Sequence, residues 1–132
     1  MNVLIDTNII LWILCDSTSL NEKEKSIIEN NNNQIIVSSI SLFEISLKYS
    51  IKKLELENVT PEEIPELLKN EGYIIGNVGY ESFSTFYKLP FLEDHKDPFD
   101  RIIIWEAIQK KYSILSRDGQ FKNYKKFGLK LL

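Results

Sequence analysis

With a single cysteine, Cys15, in 132 residues, the chain can form no internal disulfide, and a cysteine-built zinc cage is excluded. Cys15 lies in an apolar run and reads as a small core residue rather than a nucleophile. Histidine is equally scarce, His95 being the only one. Long apolar runs are missing too: the longest, Ile9 to Cys15, is far too short to cross a bilayer. The opening "MNVLIDTNII" has no basic leader, and Asp6 and Asn8 interrupt its apolar character, so it does not read as a secretory signal. A soluble, cytoplasmic protein with no membrane partner is expected. Basic excess is absent as well, with a net charge of −3. This argues against a protein that coats nucleic acid through a broad basic face, but leaves room for a nuclease whose metal site needs an acidic patch.

What is present is an ordinary globular balance, 43% apolar and 27% charged, enough to bury a core without staples. No repeat or splitting linker is visible, so residues 1–132 are expected to form one domain. Val3–Ile5 reads as a buried strand ending at Asp6, followed by helices over about 7–14 and 20–29. Gln34–Val37 is a second buried strand, and Ser38, Ser39 and Ser41 offer caps for a helix running to about Lys53. Thr60-Pro61-Glu62-Glu63 is a helix start, with that helix ending near Gly72 before a strand at 73–75. A helix over about 81–89, another over about 98–111 and a strand at 113–115 follow. A helical turn over about 120–124 and a strand at 129–131 complete the chain. Strands alternating with helices predict an α/β fold, a three-layer α/β/α sandwich with a short, mostly parallel central sheet. In such sheets the functional crevice lies beyond the carboxyl ends of the strands.

Four acids fall at that edge. Asp6 ends the first strand, where a buried carboxylate is costly unless paired or bound to metal, although it could simply cap the next helix. Glu44 lies inside the apolar stripe Ile40, Phe43, Leu47, Ile51 and Leu54, where the plainer reading is an ion pair with Lys48 one turn on. In "HKDPFDR", Pro98 suits the first helical position and makes Asp97 the N-cap. Asp100 then continues the core-facing stripe of Ile103, Ile104, Ala107 and Ile108 to its upper end, near the positive end of the helix. Asp118 follows the strand 113–115, where Asp-Gly could also be only a turn. Carboxylates gathered from four elements repel, and divalent cations relieve that repulsion. Oxygen ligands with no cysteine partner favour Mg²⁺ or Mn²⁺ over zinc, and such ions serve phosphodiester hydrolysis.

The segments "NVLIDTNIIL", "ISLFEISLKYSIKKL", "HKDPFDRIIIWEA" and "ILSRDGQF" together resemble PIN-domain ribonucleases, and among them the VapC-like toxins of bacterial toxin–antitoxin pairs. The resemblance spans nearly the whole chain in order, and DPFDR is its most specific part. It implies a PIN-like fold and an acidic quartet at Asp6, Glu44, Asp100 and Asp118, with Thr7 orienting a water and Ser116 preceding the last aspartate. It also implies an Mg²⁺- or Mn²⁺-dependent endoribonuclease acting on RNA, a homodimer and a small antitoxin partner. The chain departs from the family in "SIKKL", where relatives often carry a glycine before Lys-Leu, and in the bulky run Ile102 to Trp105.

RNA beside an acidic site calls for a basic rim, with Lys96, Arg101, Arg117, Lys122, Lys125 and Lys126 as candidates and Phe121 and Tyr124 for base stacking. The plainer reading is a solvated charged face over core aromatics. His95 reads as a loop residue hydrogen-bonded near the helix start. A phospho-receiver or aspartyl phosphatase would want a second acid just after Asp6, and Thr7-Asn8 supplies none. A PIN-like module that only binds RNA or protein is the remaining alternative.

Overall fold

A computed structural model describes residues 1–132. Five strands form one sheet: β1 (Asn2–Ile5), β2 (Gln34–Ser38), β3 (Ile74–Gly76), β4 (Ser113–Leu115) and β5 (Lys130–Leu131). Their order is β3-β2-β1-β4-β5 and every pairing is parallel. Parallel strands need crossovers, and the helices that provide them are α1 (Thr7–Cys15), α2 (Glu22–Glu29), α3 (Ser39–Ser50), α4 (Ile64–Asn70), α5 (Tyr80–Thr85) and α6 (Pro98–Lys110). The α/β sandwich is therefore as the alternating pattern predicts, and β1 lies at the centre of its sheet. Val3, Leu4 and Ile5 are fully buried because both faces of β1 are covered.

One face carries Leu4, Ile36 and Ile114 against α6, Phe121 and Tyr124. The other carries Val3, Ile5, Val37 and Leu115 against α1, Ile45 of α3, and Ile64 and Leu68 of α4. The register pairs Ile5 with both Val37 and Leu115, so β1 and β4 end level and β2 one residue later, at a common edge.

Element ends differ from the sequence reading in small ways. Thr60–Glu63 forms the expected capping box, but on a 3₁₀ turn that runs on into α4. The helix expected over 81–89 tightens into a 3₁₀ turn from Phe86. The turn after β4 runs on as 3₁₀ over Phe121–Phe127, stopped by Gly128 at φ 104°. The helix α3 stops at Ser50, and Lys52 adopts φ 60°, the left-handed region that favours glycine. This is the stretch where the family resemblance would put a glycine.

The larger correction concerns α3. Its expected core stripe is buried only in part, at Ile40 and Glu44. Ile40, Ser41, Glu44 and Ile45 point inward, whereas Phe43 is 58% exposed and Ile51 52%. The reason is that α3 bridges both layers: Ile40 packs toward α6, and Ile45 packs toward α1 and α4. The displaced Phe43 meets the Phe99 ring edge-on at 5.7 Å, and with Phe83, Phe86 and Pro98 it lines an apolar cleft at the surface.

Candidate active site

Asp6 sits one residue past β1 and is buried. Its Oδ1 accepts the Ile9 N–H at 3.0 Å, capping α1, and its Oδ2 accepts the Ser116 hydroxyl. Burial raises the Asp6 carboxyl above its ordinary range. The two hydrogen bonds oppose that shift, and the nearby charges of Asp118 and Glu44 add to it. Capping and membership of the acidic edge are thus both realised by one side chain.

Glu44 is also buried, and each of its oxygens is held. Thr7 donates to Oε1 at 2.7 Å, and Lys48 meets Oε2 at 2.6 Å. The ion pair with Lys48 is present, and its hydrogen bond holds the lysine above its ordinary range; Asp97 and Asp100 contribute to the same shift. Thr7 is expected from the resemblance to orient a water. In the structure its hydroxyl proton goes to Glu44, with the Ser41 hydroxyl 3.0 Å away.

Proline at the start of α6 leaves Asp97 as the N-cap, its Oδ1 accepting from Phe99 N–H at 2.9 Å and Asp100 N–H at 3.3 Å. Asp100 rises from the first turn, and its Oδ2 meets His95 Nε2 at 3.1 Å. Burial pushes the Asp100 carboxyl up to about 6; the His95 contact opposes this, and the charges of Asp97 and Glu44 reinforce it. Asp118 lies exposed beyond β4. Its N–H donates to the Ser116 oxygen at 3.1 Å, and its Oδ1 accepts Gln120 N–H at 2.9 Å, which is the turn read from Asp-Gly. Ser116 therefore links Asp6 to Asp118 directly.

The structure brings Asp100 and Asp118 together with His95, one ligand atom from each lying within 4.8 Å of the others. Asp6 and Glu44 lie beside this trio, close enough that the charge of Asp118 is felt at Asp6 and that of Glu44 at Asp100. The donor set fits a divalent cation: carboxylate oxygens dominate, burial with added repulsion from neighbouring acids raises Asp6 and Asp100, and one imidazole nitrogen lies among them. His95 is hydrogen-bonded near the start of α6, as the sequence suggests, but its burial and its second partner were not legible locally. Its partner Tyr124 is 29 residues away, a contact with no local signature.

The basic rim is only partly realised. Lys96, Lys122, Lys125 and Lys126 are exposed. Arg101 is not: it is buried, donates to the Leu89 and Pro90 carbonyls at 3.2 and 3.1 Å, and lies over the Phe86 ring. Arg117 is tied to Glu24 and the Ser19 carbonyl and stacks over Trp12. Phe121 and Tyr124 are fully buried core residues, so neither can stack on a base.

The PIN domain family model matches residues 3–127. No curated protein matches the chain. Among solved structures, the chain is similar to VapBC2 from Rickettsia felis bound to a DNA fragment from its promoter. The identity is 20% with a TM-score of 0.72, covering all of this chain and 98% of that one. It is also similar to FitAcB from Neisseria gonorrhoeae, at 17% identity and TM-score 0.59, covering 98% and 96%. A toxin–antitoxin complex from Klebsiella pneumoniae aligns at 20% identity and TM-score 0.56, covering 88% and 86%. At these identities the likeness speaks for the fold.

Proposed function

The chain belongs to the PIN-domain family, and on that premise we propose that it is an Mg²⁺- or Mn²⁺-dependent endoribonuclease, the toxin of a toxin–antitoxin pair. The observation that carries the proposal is the meeting of Asp100 and Asp118 within reach of one ion, ringed by Asp6 and Glu44. All four carboxylates would hold the metal. When bound, the cation supplies charge neutralisation and Lewis acidity at the scissile phosphodiester.

The rest of the chemistry belongs to the chain. The Ile9 amide and the Ser116 hydroxyl hold Asp6 at the strand edge. Thr7 and Lys48 hold the two oxygens of Glu44 from opposite sides, so that carboxylate keeps one orientation in a region where movement would cost catalytic geometry. The positive end of α6 works against the burial that raises Asp100. Exposed Lys96, Lys122, Lys125 and Lys126 offer charge for a polyanionic strand beside an acidic centre. Water is the nucleophile in this reading, leaving 5′-phosphate and 3′-hydroxyl ends.

A small antitoxin and a second copy of the chain are the proposed partners. The apolar cleft of Phe43, Phe83, Phe86, Pro98 and Phe99 supports a protein partner, since exposed apolar patches of this kind mark interaction surfaces. The alternative, a module that binds RNA or protein without cutting, draws support from Lys48, which already offsets the charge of Glu44. Incubating the purified protein with a total RNA pool, with Mg²⁺, Mn²⁺ or EDTA, and mapping the cut ends decides between them. Cutting that requires metal supports the nuclease, and intact RNA in every arm supports the module.

A further inference from the structure

His95 is buried, yet both of its ring nitrogens are engaged, and nothing in the proposed cleavage uses it. Nδ1 lies 3.1 Å from the Tyr124 hydroxyl, and Nε2 lies 3.1 Å from Asp100 Oδ2. A carboxylate only accepts, so Nε2 carries the proton at that contact. The neutral ring then has an acceptor at Nδ1, and Tyr124 donates to it. The donors therefore run in one direction, from the Tyr124 hydroxyl through His95 to Asp100.

The surroundings hold this line of groups rigid. The His95 N–H donates to the Leu92 carbonyl at 3.0 Å. Its ring packs on Phe121 at 5.8 Å and against Tyr124 at 5.5 Å between centroids. Tyr124 is fully buried in the 3₁₀ segment Phe121–Phe127. The Asp100 side chain, by contrast, is 25% exposed and faces the crevice. A carboxylate at a helix start can rotate freely unless something takes one of its oxygens. His95 takes Oδ2 and leaves Oδ1 for the crevice.

We propose that His95, backed by the Tyr124 hydroxyl, is a positioning residue that fixes the rotamer of Asp100. The functional consequence rests on the metal reading of Asp100, whereas the order of the donors does not. Direct ligation by His95 is the competing arrangement, since Nε2 lies within the same 4.8 Å cluster as Asp100 and Asp118. Ligation would move the proton to Nδ1, reverse the Tyr124 bond and forfeit the contact with Asp100.

Because His95 is the only histidine, imidazole signals in a ¹⁵N-labelled protein belong to it alone. A long-range ¹H–¹⁵N correlation on metal-free protein at about pH 8, where histidine is ordinarily neutral, is expected to show the Nε2–H tautomer. Tyr124→Phe should keep this tautomer, because Asp100 still accepts the Nε2 proton, but should shift the Nδ1 resonance as its donor is lost. An Nδ1–H tautomer in the native chain, or an unmoved Nδ1 resonance in Tyr124→Phe, overturns the proposal. Calorimetric titration with Mn²⁺ supplies the second readout. Tyr124→Phe should weaken binding about 10-fold, the lower end for partners that orient a ligand, and should cost nothing further in an Asp100→Asn background. Unaltered Mn²⁺ affinity, or an undiminished loss in that background, overturns it. If Tyr124→Phe does not fold, His95→Gln and His95→Ala replace it: Gln keeps a donor for Asp100 and should retain affinity that Ala loses. Equal losses overturn the proposal. A native chain that binds no Mn²⁺ defeats the metal reading itself, and the tautomer then decides the donor order alone.

Discussion

Asp97 and Asp100 stand one helical turn apart and face different partners. Asp97 turns back onto the amides of Phe99 and Asp100, while Asp100 reaches across to His95 Nε2 at 3.1 Å. One carboxylate begins a helix and the other belongs to the crevice, a division that follows from the proline between them.

The two residues should therefore separate on mutation. Asp97→Ala is expected to lower stability by about 1 kcal/mol, the typical worth of an N-cap, while keeping much of the metal-dependent cleavage. Asp100→Asn should abolish cleavage with the fold intact and stability held or raised, since repulsion with Glu44 is relieved. Urea unfolding and an RNA cleavage assay on both variants check this. Loss of activity in Asp97→Ala at unchanged stability would reverse the assignment.

Divalent metal should raise the melting temperature, because a ligand that binds only the folded state stabilises it, by roughly 2.7 kcal/mol at 100 times its Kd. Asp6→Asn should reduce both that shift and the cleavage. Products should carry 5′-phosphate and 3′-hydroxyl ends. Undiminished cutting in excess EDTA, or 2′,3′-cyclic phosphate ends, would mean that the ribose hydroxyl is the nucleophile and that the acidic quartet serves another purpose.

Acid stability should depend on Glu24. Its hydrogen bond from Arg117 depresses the carboxyl below its ordinary range despite burial, and the Asn21 amide assists at 2.9 Å. A depressed carboxyl contributes stability above its unfolded pKa and loses it as pH falls through the folded value. Glu24→Gln should therefore lower the melting temperature at neutral pH, with the gap to the native chain closing in acid. A gap that widens in acid would contradict the assignment.

Arg101 should behave as a structural residue. Arg101→Ala removes a buried charged donor from two carbonyls, an interaction class worth about 1.5–3 kcal/mol, and should show chiefly as lost stability. Lys122→Ala with Lys125→Ala should instead leave stability near native and flatten the salt dependence of RNA binding. Filter binding across a salt series, beside urea unfolding, separates the two outcomes.

Much of this was legible locally. Continuous apolar runs such as Val3–Ile5 announce strands covered on both faces, and a proline after Asp97 announces a helix start, because each depends on neighbours in the chain. The acids at strand ends follow from the same logic, since a strand's carboxyl end is where its helix must begin. Tertiary structure decided the rest. Helical periodicity puts Glu44 near the core side of α3, but only packing between two layers determines that Ile45 is buried and Phe43 is not. Arg101 reads as a rim cation until the Leu89 and Pro90 carbonyls take it inward. His95 bonds locally to the start of α6, as expected, but finds Tyr124 across 29 residues. Hydrogen bonds between distant segments leave no periodic trace in a sequence, because their partners are chosen by how the layers close over the sheet.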